Sequence, residues 1–252
     1  MASDSEASKH LSRSAELLWH AHERPVKGPR PTLTLAQIVD TAIAVADTDG
    51  IDALSMRRIA RDLDVGAMSL YRYVPGKGEL LDLMLDRVSA IGDLPDKATE
   101  LTWRETLELS ARGSRDLFLR HPWLLQVNWA RPVLGPNTLA AVEFVIAGLD
   151  GVGLTDQERI MVLSSVDSYV TGSVRQQIMY TNAAVETGVS DDEFWAAQYP
   201  VLERAMATGA YPAMAALAEN AFDAGWEETF EFGLSCLLDG LERFIANLRS
   251  PH

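Results

Sequence analysis

The sequence predicts an all-α chain with a small N-terminal head and a larger helical body, and three observations carry that reading. No stretch of strict apolar–polar alternation lies between turn signals, so no strand pattern competes with helix. Ser or Thr followed three residues later by Glu or Gln, the capping-box pattern that opens helices, recurs along the chain as "TLAQ", "TWRE", "TDQE" and "SDDE". Charge is divided unevenly: of a formal -14, residues 91–252 contribute 11 Lys and Arg against 23 Asp and Glu, whereas Arg24 to Lys77 holds 8 cations against 6 anions. The acidity belongs to the body.

At 252 residues, with 47% hydrophobic and 23% charged side chains, the chain can bury a large core. Its single cysteine, Cys236, excludes an internal disulfide framework and a cysteine-rich metal site. The N-terminus lacks a signal-peptide pattern, and no window approaches the roughly 18 uninterrupted apolar residues of a membrane helix. These features read as cytoplasmic, with no membrane partner.

Residues 1–31 form an N-terminal extension, with a short helix at "SAELLWHAH" followed by "RPVKGPRPT". Proline excludes regular helix from that second stretch, so Arg24, Lys27 and Arg30 lie on an extended cationic arm suited to a DNA minor groove or to solvent. The head spans residues 32–91. In "TLAQ" the Thr34 hydroxyl can take the Gln37 amide while Gln37 reaches back, and Leu33 and Ile38 have staple spacing. Gly50 stops that helix. Ser55 caps a two-turn helix with Ile59, Ala60 and Leu63 inward, and Asp64 takes the tight turn, being a residue type that tolerates left-handed backbone. A second short helix over about 67–74 turns Leu70 and Val74 inward, and another follows from Lys77 to about Ile91. Two short helices joined by a tight turn and braced on both sides make a helix-turn-helix.

"GDLPDK" at 92–97 reads as a hinge, and residues 92–252 as the body, with helices at 102–119, 122–130, 137–150, 155–182, 191–208, 211–222 and 225–248. "TNAAVETGVSDDE", residues 181–193, reads as a loop between two of them.

The ordered segment from about Leu33 to Val88, with "IARDLDV", then "LYRYV", then Lys77 followed by "ELL", resembles the DNA-binding domain of the tetracycline-repressor (TetR) family of bacterial regulators. The resemblance implies a homodimer whose N-terminal helices read a palindromic operator and whose C-terminal domain holds a small-molecule pocket and the dimer interface. It places the DNA-facing positions at Arg57, Ala67, Met68, Ser69, Tyr71, Arg72, Tyr73 and Lys77. Two residues depart from the family pattern, Asp64 for the usual turn glycine and Tyr73 for the usual histidine. Small residues at a helix end can meet thymine methyls, Arg72 suits a bidentate bond to guanine, and Tyr71, Tyr73 and Lys77 suit phosphates.

In the body, Trp123, Trp129, Phe144, Tyr169, Met179, Tyr180, Trp195 and Tyr199 are candidates to line a partly apolar or aromatic effector site, with Arg175 and Gln176 to orient polar atoms. Each is also a plausible core residue. Phe230, Leu234, Leu237, Leu241, Phe244 and Leu248 form an apolar stripe on the last helix, and Ser165, Ser168 and Gly172 a small-residue edge on the long one, together suiting a helical dimer interface. No HExxH pair, P-loop or nucleophile elbow is present, so no enzyme activity, cofactor or metal is implied. The reading is a ligand-responsive repressor. Its alternative is an all-α small-molecule binding or scavenging protein with a non-functional DNA-binding head.

Overall fold

A computed structural model describes residues 2–20, 33–90, 101–127, 134–218 and 220–248, with side chains from His10 to Trp19 in the first helix. Among them every regular element is helical. The arm bearing Arg24, Lys27 and Arg30, the hinge at 92–97 and Trp129 lie outside the described residues.

The first helix, α1, runs Ala2–His20, well beyond the short helix expected near its end. The added residues contain neither Gly nor Pro, so nothing interrupts the helix once its last turns are held. That hold comes from Leu17, Leu18 and Ser14, all buried, where α1 packs on α5.

The head follows. Helix α2 spans Leu35–Asp49 and opens with both halves of the Thr34–Gln37 capping box. It buries Ile38, Val39, Ala42, Val45 and Ala46, the stripe that its apolar spacing dictates. A 3-10 turn at Ile51–Ala53 leads to α3, Met56–Asp62, capped by Ser55 accepting from the Arg58 amide. Asp64 turns the chain with φ 53, the one non-glycine residue with positive φ among those described. Helix α4, Ala67–Leu70, is shorter than the sequence suggests. Tyr71–Tyr73 form turns, and Pro75 disfavours helical backbone at Val74. Leu70 and Val74 are fully buried as expected. Helix α5, Lys77–Val88, closes the head and buries Leu80, Leu83, Met84 and Leu85.

Helix α6, Trp103–Arg120, begins at the Thr102–Glu105 capping box. The helix expected over 122–130 is a 3-10 helix, Pro122–Gln126. Helix α7, Pro136–Gly148, packs on α6, and α8 runs Asp156–Thr187. The loop expected from residue 181 is instead the end of α8, because no breaker precedes Gly188 with its positive φ; Ser190 then caps α9, Asp191–Ala207. Helix α10, Pro212–Ala215, covers only part of the expected 211–222, and α11 spans Trp226–Leu248.

By packing the chain divides into two compact units, Met1–Asp167 and Ser168–His252, the division falling within α8. In the second unit α11 turns Phe230, Leu234, Leu238 and Ile245 inward, so the first part of the expected dimer stripe serves the subunit's own core. Phe232, Phe244 and Leu248 remain exposed, as does Cys236. The Tyr169 ring lies against Phe230 with centroids 5.6 Å apart, and its hydroxyl donates to the Phe230 carbonyl at 2.6 Å. The ring occupies the space that a side chain at Gly233 would fill.

Candidate nucleic-acid interface

The turn at Asp64 sets α4 against α3, and the buried Leu70 and Val74 fix which side of α4 faces out. Met68 is 78% exposed and Tyr71 45%, large apolar and aromatic groups left in water on a head that has a well-filled core. Arg72 and Lys77 are exposed with them, while Ala67 and Ser69 are half-buried.

The arginines of α3 divide by partner. Arg58 pairs with Asp49 at 2.6 Å and Asp62 at 2.7 Å, and Arg61 lies 3.4 Å from Asp62. The Asp62 bond first, and the Asp49 bond second, raise the Arg58 guanidinium above its ordinary range. These two arginines are engaged in holding the head together. Among the described residues Arg57, Arg72 and Lys77 have no ion-pair partner, and all three are exposed. Tyr73 departs from its expected phosphate role: its hydroxyl donates to the Leu33 carbonyl at 2.9 Å, tying α4's trailing turn to the entrance of α2. At the start of α5 the Glu79 carboxylate lies over Gly76, so a phosphate approaching those amides meets a resident anion.

Sequence reasoning misses how the head is joined to the helices behind it. Asp47 on α2 receives the Trp123 indole N–H at 2.7 Å and lies 2.7 Å from His121 Nδ1. Trp123 is 1% exposed and its polar atom is taken, so it is a joint residue rather than a ligand lining. Asp86 on α5 is 4% exposed and accepts from the Thr138 amide at 2.9 Å, the Thr138 hydroxyl at 3.1 Å and Asn137 Nδ2 at 3.1 Å. A buried carboxylate thus caps the N-terminus of α7, a position that the helix dipole favours. Gly135 has no Cβ where the Asp86 carboxylate sits. The sequence "LLDLMLD", where two carboxylates four residues apart interrupt an apolar run, marks these aspartates as unusual but does not reveal their partners.

The effector candidates divide between the two units. Trp123 and Phe144 are buried in the first unit, and the others described belong to the second. Arg175, Gln176, Met179 and Tyr180 lie on an exposed side of α8. The Tyr180 ring lies beside that of Trp226, tilted by 59° with centroids 5.5 Å apart. Trp195 and Tyr199 are exposed on α9, which buries none of its residues.

Two short helices around a tight turn, presenting unpaired cations and small residues from a head with its own core, define a helix-turn-helix DNA reader. Residues 38–84 match the family model for bacterial regulatory proteins of the tetR family, and residues 94–245 that for the tetracyclin repressor-like C-terminal domain. The chain is 47% identical over 248 residues to the HTH-type transcriptional repressor DrrR1 of Streptomyces coeruleorubidus, covering 98% of this chain and 92% of that one. Among solved structures, apo ActR from Streptomyces coelicolor superposes with a TM-score of 0.67 at 27% identity, over 87% of this chain and 99% of ActR. ActR in complex with actinorhodin gives 0.59 at 27% identity, over 86% and 99%. The chain belongs to the TetR family and is a transcriptional regulator of the repressor type.

Proposed function

We propose that the chain is a cytoplasmic, homodimeric repressor that holds a palindromic operator through Arg57, Ala67, Met68, Ser69, Tyr71, Arg72 and Lys77 and is released by a partly apolar or aromatic small molecule. The observation that carries the reading is the division of cations on the head. In a chain of net charge -14, three exposed cations stand unpaired around α4 while neighbouring arginines are neutralised. Unpaired Arg and Lys release counterions from phosphates, and paired ones do so poorly. The actinorhodin bound to ActR supports a small-molecule effector, and the exposed Phe232, Phe244 and Leu248 of α11 support a helical interface with a second copy.

Release follows when the effector favours a head spacing unlike that of two major grooves about 34 Å apart. Effector and operator must then weaken each other's binding reciprocally. The first test titrates the purified protein against labelled DNA from its own upstream region, beside Arg72→Ala. Saturable binding that falls at least about fivefold in the variant, as removal of a guanine bond worth roughly 1–3 kcal/mol requires, supports the reading. No binding across a pool of genomic fragments overturns it in favour of a small-molecule binding protein.

A further inference from the structure

Helix α1 precedes both family-model matches, which begin at residues 38 and 94, yet it runs along the element that carries Lys77. His10, Ser14 and Trp19 define its course. The His10 ring lies over Gly78 in the first turn of α5, where a Cβ would stand 2.8 Å from Nε2. Four residues on in each helix, the buried Ser14 hydroxyl donates to Asp82 at 2.5 Å, and His10 Nε2 stands 3.3 Å from the same carboxylate oxygen. The equal steps mean that α1 and α5 run in the same direction. Leu17 and Leu18 are buried one turn further, and the Trp19 indole N–H then donates to the Leu134 carbonyl at 3.1 Å. Leu134 is adjacent to Gly135, where Asp86 caps α7.

The end of α5 is therefore fixed at Asp86 by three hydrogen bonds, about 13 Å along the helix from Lys77 at 1.5 Å per residue. A rod held at one end swings about that end. From His10 to Trp19, α1 lies beside the rod and is fastened to the same anchor.

We propose that α1 is a positioning brace for DNA reading: it limits the swing of α5 about Asp86 and so holds the two heads of a dimer at operator spacing. The proposal rests on the dimeric repressor reading. Its residues touch no DNA; they act on how often the heads are correctly spaced. A loosened brace lowers the competent fraction, and apparent affinity falls in the same proportion.

Ser14→Ala and Trp19→Phe each remove one fastening while keeping the apolar packing, and the double variant removes both. The full-length proteins are titrated against the footprinted palindrome from the upstream region and against a duplex carrying one half-site, with thermal melting measured alongside. In the double variant the palindrome is bound about five- to tenfold more weakly, with half-site binding unchanged and each single variant intermediate. Equal losses on both duplexes would show damage to the head's own fold and overturn the brace, as would unchanged or tighter binding of the palindrome. Should wild type bind neither duplex, the repressor reading fails first and the brace with it. If melting shows the double variant unfolded, Trp19→Phe alone decides by the same two duplexes.

Discussion

Asp64 shows how much one side chain can settle. Its φ of 53 is a conformation that L residues enter at a cost, and Asp bears it better than most because its short polar side chain can bond locally. The carboxylate also stands in the turn between the two helices, where it would repel a phosphate brought to α4 in the proposed DNA-reading role. Stability and DNA binding therefore separate at this position. Asp64→Gly should keep melting stability within about 1 kcal/mol, since relief of strain is offset by a freer unfolded chain, while tightening operator binding. Asp64→Val should cost about 1–2 kcal/mol because a branched side chain resists the left-handed region. Thermal melts and operator titrations of both variants check this; equal stability in the two would show that the turn bears no strain.

At the scale of elements, the caps differ in chemistry. Helix α2 is capped by neutral Gln37, whereas α6, α8 and α9 are capped through Glu105, Glu158 and Glu193. The Thr102 hydroxyl, then its amide, holds Glu105 below its ordinary 4.5; for Glu158 and Glu193 the amides of Thr155 and Ser190 act first and their hydroxyls second. A carboxyl lowered in the folded state stabilises above its unfolded value, and that contribution is lost as pH falls through the lowered one. Below the usual glutamate range, amide exchange should quicken in the first turns of α6, α8 and α9 while the first turn of α2 holds. If α2 frays in step with the others, the caps do not govern the acid response. These caps are legible from spacing alone, as are Ile38, Ile59, Leu70 and Val74 in the head's core. The fastenings of Asp47, Asp82 and Asp86 are not, because each joins residues 51 to 76 positions apart, with 68 between Ser14 and Asp82, and local periodicity carries no information about such pairs. The role of Tyr73 escapes the sequence for the same reason, its partner Leu33 lying 40 residues away.

For the whole molecule the decisive property is the contrast between an acidic body and a head with three unpaired cations. The body, with 11 cations against 23 anions, repels DNA, so the fall of affinity with salt should be set by the cations of the head that neutralise phosphates. Lys77→Ala should reduce the slope of log affinity against log salt by about 1 for every phosphate that the lysine neutralises, and weaken all sequences alike. A change in sequence preference with an unaltered slope would move Lys77 from backbone to base. The bond between Asp47 and Trp123 also gives this protein an optical reporter of its own. Trp123 is fully enclosed and donates to a carboxylate on the head, whereas Trp19 and Trp195 face water. A head that pulls away on release strips the indole of its anion and admits solvent, so its emission must change. Trp103, Trp129, Trp195 and Trp226 can be replaced by phenylalanine, keeping Trp19 for its bond to the Leu134 carbonyl, and an effector screen can then be read from the change in Trp123 emission without labelled DNA.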